Sequence, residues 1–161
     1  MLIENAYYIL TPGGQVDIPR LTQFMELISS LGAIPLVLTY EEHDYITAGV
    51  SHLPHIIASS LVNLVSDLDD EQETMRTIAA GGFKDITRIA SSSPVMWQNI
   101  CLSNQEQILK LTDCYIHALQ DIRSSVADAR SDDIISFFRN AKDYRDSITT
   151  PVRGSLQKNY S

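Results

Sequence analysis

Two short apolar runs flanking one amphipathic stretch, all within the first forty residues, limit most strongly how this chain can fold. Ala6–Leu10 (AYYIL) is halted by Thr11-Pro12-Gly13-Gly14, a turn cluster of the kind that ends a strand. From Asp17, with Pro19 suited to a first helical turn, the apolar residues Leu21, Phe24, Met25, Ile28 and Leu31 recur at helical spacing until Gly32. Ala33–Thr39 (AIPLVLT) is the second apolar run. Residues 5–39 therefore read as strand, helix, strand. A lone βαβ unit cannot cover both faces of its strands, so this segment reads as the edge of a larger sheet.

After Tyr40 the pattern turns helical and stays so, which makes the expected fold class mainly α. Glu41 and Glu42 put negative charge where a helix N-terminus favours it. Ile46, Val50, Leu53, Ile57, Leu61 and Leu64 form one stripe on a helix over 42–66. Pro54 removes a backbone donor inside that helix, so a kink near Val50 is expected. The acidic stretch Ser66–Glu73 reads as a solvated connection leading into a helix N-terminus. Gly81-Gly82 interrupts the next helical stretch and permits a close backbone approach. Ser93-Pro94 reads as an N-cap with a first-turn proline, and Ser103 with Glu106 as a capping box. The helix after it carries Ile108, Leu111, Tyr115, Leu119, Ile122 and Val126 at a spacing near 3.5, the pattern of a helix packed lengthwise in a bundle or across a dimer seam. Ser131 is placed to cap a last helix bearing Ile134, Ile135, Phe137, Phe138 and Tyr144. From Thr149 the periodicity ends, and 149–161 reads as a linker or tail.

Composition narrows the function classes. With 161 residues, 44% of them hydrophobic, the chain has material for one core-bearing domain or slightly more. Twenty acidic against 12 basic residues, a net charge of -8, argue against binding a phosphate backbone. The 2 cysteines, Cys101 and Cys114, are too few for a disulfide scaffold and form no CxxC pair. The N-terminus has no signal-peptide features. No run of consecutive apolar residues approaches the ~18 that a membrane span needs. The expectation is a soluble protein of the reducing cytoplasm, with no membrane or nucleic-acid partner.

Two groups of residues stand out chemically. His43, His52 and His55 fall within thirteen positions, and the latter two, three apart, share a helix face if the turn survives Pro54. A metal site is one reading, but no HExxH pattern is present and no third ligand is assured, so none is expected. The plainer reading has a histidine beside a helical proline bonding a freed carbonyl. The second group is GGFKDITRIA (81–90) followed by PVMW (94–97). Asp85 lies three residues before Arg88 and could orient its guanidinium toward a carboxylate ligand, or simply form a surface ion pair with it. Trp97 reads as a core residue. There is no GxGxxG, Walker loop or GxSxG elbow, so nothing here cradles a nucleotide phosphate or presents an activated serine.

Taken together, ENAYYILTP (4–12), Glu42-His43-Asp44, SHLPH (51–55), GGFKDITRIA (81–90) and PVMW (94–97) resemble the prephenate dehydrogenase family, in the family's order. The combination of HLPH with GGFxDxTRIA is specific. The resemblance covers residues 4 to about 100 in motifs, and to about 148 in helical pattern. It implies that residues 1–40 are the final βαβ segment of a Rossmann domain. Residues 41–148 would be an all-helical dimerisation and substrate-binding domain, a bundle of the 6-phosphogluconate dehydrogenase C-terminal type. The GxGxxG fingerprint and the catalytic histidine would lie upstream, leaving no catalytic residue in this chain and the isolated chain inactive. The family's reaction is the NAD-dependent oxidative decarboxylation of prephenate to 4-hydroxyphenylpyruvate in tyrosine biosynthesis. Carried over by motif, Arg88 grips a substrate carboxylate, His55 and His52 contact the other end, His43 lies nearby, Asp85 orients Arg88, Gly81 lines the site and Trp97 walls it. NAD is the implied cofactor, held mainly by the upstream domain, with NADP also open. The implied partners are a second copy of the chain, met through the long helices, and prephenate or tyrosine. The tail is similar to the lead-in of an ACT regulatory domain. A reading from another class is a standalone helical dimerisation or aromatic-acid-sensing module without chemistry of its own.

Overall fold

The computed structural model describes residues 3–148; the expected linker or tail at 149–161 lies outside the described residues. The chain forms two compact units, one from Met1–His43 with Leu119–Ser161, the other from Asp44–Ala118.

In the first unit, strand β1 (Tyr7–Leu10), helix α1 (Ile18–Ser30) and strand β2 (Ile34–Val37) realise the βαβ pattern. The strands pair in parallel, with Tyr7 opposite Ile34 and Leu10 opposite Val37, and α1 packs on β2. Asp17 caps α1 by accepting from the Arg20 amide at 3.3 Å, and Pro19 sits in the first turn. Gly32 ends the helix at φ +90, a conformation that excludes most side chains. Its carbonyl accepts from the Asn5 amide at 2.8 Å, which ties the start of β1 to the end of α1. Ile28, Ala33 and Leu38 are buried, yet Tyr7, Tyr8 and Ile9 remain 36–38% exposed. Strands of a parallel sheet are ordinarily covered on both faces.

The same unit holds helix α8 (Ser131–Ser147), which follows α7 (Gln105–Ala127) after a tight turn. Arg130 N donates to Ser125 O and Ala129 N to Val126 O, with Ala129 left-handed at φ 51. This is a Schellman-type closure. It puts Arg130, rather than Ser131, at the cap position of α8, and no side chain caps that helix. The expected Ser131 cap is thus corrected: Arg130 instead pairs with Asp128 at 2.7 Å and Asp133 at 2.8 Å across the turn.

The second unit is all helical, and its first helix begins within the last residues of the preceding unit's N-terminal segment. The expected helix over 42–66 is longer and is interrupted: α2 (Tyr40–Thr47) passes into a π turn (Ala48–His52) and then α3 (Leu53–Leu68). Thr39 and Glu42 cap α2 reciprocally, each side chain accepting from the other's amide at 3.1 and 3.0 Å. The kink expected from Pro54 takes the form of the π turn, in which Leu53 N donates to Ala48 O, five residues back. Counted as one continuous helix, Tyr40–Leu68 spans 29 residues and includes an 18-residue window with a mean hydropathy of 1.2. By length and composition it could cross a membrane, although no consecutive apolar run suggested so. The core helix of a soluble protein meets the same criterion.

The acidic stretch after α3 is also more than a solvated connection. Asp69 accepts from the amides of Met75 and Arg76 at 2.8 and 3.0 Å, and Asp70 from Thr74 at 2.9 Å, so the two carboxylates cap α4 (Thr74–Ile78). The Thr74 amide holds the Asp70 carboxyl below its ordinary pKa. Helix α5 (Gly81–Thr87) starts at the glycine pair and leads into a 3₁₀ turn (Arg88–Ser91). Both α5 and the 3₁₀ turn pack on α3. Helix α6 (Pro94–Ser103) begins at Ser93, whose hydroxyl accepts from the Met96 amide at 3.4 Å. The Ser103–Glu106 capping box does not form. Ser103 is the last residue of α6 and its hydroxyl donates to Ile100 O, because the joint between α6 and α7 falls one residue later, at Asn104.

Candidate functional site: a histidine and tryptophan cluster

Within the second unit, the π turn and Pro54 bring two imidazoles to one side of the helix, where Trp97 of α6 meets both. The Trp97 ring stacks on His55 with centroids 3.9 Å apart and an interplanar angle of 29°. It meets His52 edge to face at 6.1 Å. Both are ordinary aromatic geometries. A cavity of about 320 Å³ opens beside them, lined by His55, Ser59, Asn63, Trp97, Gln98 and Cys101 among others. Trp97 is therefore half-buried at the edge of a cavity rather than a core residue, and its Nε1 is buried without a hydrogen-bond partner among the described residues.

The plainer expectation for a histidine near Pro54 is met only in kind: one ring bonds a helix carbonyl, though not the freed one. His55 Nδ1 lies 2.9 Å from Ser51 O, the carbonyl next to the one that Pro54 leaves without its helical donor. A carbonyl only accepts, so Nδ1 carries the proton and Nε2 is the acceptor of the neutral ring. His52 is held differently: Asn104 Nδ2 lies 3.3 Å from its Nδ1 and donates to Asp44 O at 2.7 Å. Asn104 is 8% exposed and bridges 60 residues of sequence. Sequence reasoning passed over it. The available signal was an amide residue at the break between two helical stretches, which the neighbouring Ser103 obscured.

The other expected residues are placed as follows. Arg88 is exposed at the start of the 3₁₀ turn and Asp85 is exposed on α5, and no ion pair joins them. Neither the orienting pair nor the surface pair therefore forms. Thr87 closes α5 at φ -96 and ψ -1, and the chain continues from Arg88 as a 3₁₀ turn, where the α-helical spacing of three residues no longer applies. The guanidinium is left available to an anion. Gly81 and Gly82 are exposed, and a Cβ added to either would meet nothing within 4 Å, so no part of the described chain makes the close approach that their flexibility permits. His43 belongs to the first unit; its amide donates to Thr39 O at 3.0 Å in the first turn of α2. Among the described residues no group of three or more His, Cys, Asp or Glu could hold a metal ion. Cys101 and Cys114 are free thiols.

Among the described residues, the strand–glycine–helix junction between β1 and α1 has the Arg20 amide, one of the donors of a helix N-terminus, taken by the Asp17 carboxylate.

The fold is an all-helical domain entered from a parallel βαβ segment, with aromatic and imidazole side chains gathered beside a cavity. Comparison with known proteins identifies that class more closely. The chain belongs to the prephenate dehydrogenase dimerization domain family, whose model matches residues 39–140. It is 40% identical over 159 residues to the prephenate dehydrogenase of Bacillus subtilis, covering 99% of this chain and 43% of that enzyme. It is 37% identical over 147 residues to the prephenate dehydrogenase of Lactococcus lactis, covering 91% of this chain and 40% of that enzyme. Among solved structures, that of prephenate dehydrogenase from A. aeolicus in complex with hydroxyphenyl propionate and NAD+ superposes with a TM-score of 0.84 at 30% identity. The match covers 91% of this chain and 51% of that one. The chain thus spans about half the length, or less, of the relatives it matches.

Proposed function

We propose that this chain is the dimerisation and substrate-binding part of an NAD-dependent prephenate dehydrogenase, a soluble enzyme of the cytoplasm. The whole enzyme would convert prephenate to 4-hydroxyphenylpyruvate, with NAD accepting the hydride. The observation that carries the proposal is the cluster of His52, His55 and Trp97 inside the region that matches the family. The nucleotide would be held by a Rossmann domain to which residues 1–40 contribute the last βαβ segment. The exposed faces of Tyr7, Tyr8 and Ile9 support that reading, since they suit further strands and helices. The isolated chain would then have no dehydrogenase activity.

The substrate is a dianion, so its site needs fixed positive charge and hydrogen-bond donors more than a strong base. Arg88, exposed and not spent on Asp85, is the residue suited to grip one carboxylate, because a guanidinium matches a carboxylate in two parallel hydrogen bonds. His55 and His52 would contact the other end, with Trp97 as an apolar wall. Gly81 and Asp85 would line the approach to Arg88, and His43 would lie nearby. The complex of the A. aeolicus enzyme with hydroxyphenyl propionate, an aromatic acid, supports a carboxylate-bearing ligand.

The test is Arg88→Ala in the complete enzyme. A charge-assisted hydrogen bond contributes about 1.5–3 kcal/mol, so the apparent KM for prephenate should rise roughly 10- to 100-fold while that for NAD stays put. An unchanged prephenate KM would remove Arg88 from the site.

A further inference from the structure

We propose that His55 takes a proton from solvent onto Nε2 when a ligand carboxylate enters the cavity beside Trp97, so that anion binding and protonation of this ring are one coupled event. The proposal deepens the function given above and rests on that reading for its ligand. The argument starts from His55 Nδ1, which lies 2.9 Å from Ser51 O. A carbonyl only accepts, so Nδ1 donates in the neutral and in the charged ring alike. With Nδ1 spent on the helix, any hydrogen bond from the ring to a ligand is made by Nε2. Neutral His55 has a bare Nε2, which accepts and offers a carboxylate nothing. Protonated His55 has an N–H there and a positive charge, the charge-assisted donor that suits a carboxylate.

The surroundings accept that charge without neutralising it. The indole of Trp97 stacks on the ring with centroids 3.9 Å apart, and the negative face of an indole attracts a cation within about 6 Å. The Ser51 carbonyl also binds a charged donor more strongly than a neutral one. Yet among the described residues the cavity lining holds no carboxylate: around His55 and Trp97 stand Ser59, Asn63, Gln98 and Cys101, the thiol being the other titratable group there. His52 meets the same indole from its edge, at 6.1 Å. The charged side chains Asp67 on α3 and Arg76, Lys84, Asp85 and Arg88 on the elements packed against it do not line this cavity. A half-buried imidazolium without a counter-ion is costly. An anionic ligand supplies the counter-ion, and the ring supplies the donor.

The experiment is calorimetry of hydroxyphenyl propionate binding to the complete enzyme with NAD, in buffers of different ionisation enthalpy, which counts the protons bound with each ligand. It is run from about pH 6 to about pH 8, a range in which unperturbed imidazoles titrate while carboxylates and guanidinium groups keep their charge. Near pH 8 the unsubstituted enzyme should take up about one proton more per ligand than His55→Gln, which cannot hold the proton. Its affinity should fall by up to about tenfold per pH unit as pH rises, because the proton must then be drawn from a more dilute supply. In His55→Gln that slope should flatten. Equal proton counts in a variant that binds more weakly overturn the coupling and leave His55 in the site. Equal affinities at every pH remove His55 from the site and overturn both readings. Should His55→Gln not fold, His55→Asn takes its place, and a count of zero protons near pH 8 in the unsubstituted enzyme overturns the proposal whatever the variants do.

Discussion

Arg88 and Asp85 show how far a residue's role depends on half a turn of backbone. At i and i+3 on a regular helix they would share a face, but α5 ends at Thr87, Arg88 opens a 3₁₀ turn, and no ion pair joins the two. That single change turns a surface pair of little energetic value into a cation available to a ligand. Smaller local interactions follow chain grammar more faithfully. Asp69 holds two backbone amides at the start of α4, as N-cap side chains do. Asp69→Ala should lower the unfolding free energy by about 1 kcal/mol, read from denaturant melts; a loss below about 0.3 kcal/mol would mean that water replaces both bonds at no cost. Such caps were partly legible in the sequence. Asp17, Ser93 and Glu42 act near the positions their spacing indicates, whereas Ser103 and Ser131 do not, because the neighbouring joints at Asn104 and Arg130 are set one residue away by backbone turns.

At the level of the element, the run from Tyr40 to Leu68 shows a proline effect displaced along the chain. Pro54 stands in the first turn of α3, where a missing amide is tolerated. The disturbance is absorbed before it, in the π turn of Ala48–His52, and π turns often mark functional segments. Periodicity predicted a kink there but not its form, since a widened turn and a bent one follow from the same missing donor. Gly49, inside the π turn, is a position where glycine is not sterically required: a Cβ would meet Leu111 Cδ1 at 3.6 Å, an ordinary contact. Gly49→Ala should therefore leave the fold intact and raise stability by up to about 1 kcal/mol. A lower melting temperature would show that the π turn needs glycine for its backbone and not for space.

On the scale of the whole molecule, many large apolar side chains among the described residues are exposed. On α7, Ile116, Leu119 and Val126 are 45%, 47% and 62% exposed, and on α8 Phe138 is 64% exposed. The proposed dimer would cover such a surface. Light scattering of the chain should give the dimer mass, and Leu119→Glu combined with Val126→Glu should weaken association at least about tenfold, since a buried aliphatic side chain contributes about 1.5–3 kcal/mol. A monomer mass at all concentrations would count against the reading. The sequence by itself determined the βαβ start, the helical remainder, the break at Pro54 and the family motifs, because hydrophobic period, turn residues and proline act over a few neighbours. Tertiary structure alone decided that Trp97 stacks on His55, that Asp85 and Arg88 do not pair, and that Asn104 reaches across 60 residues to Asp44 and His52. Those outcomes depend on which helix faces pack together and where each backbone joint falls, quantities that no local spacing encodes.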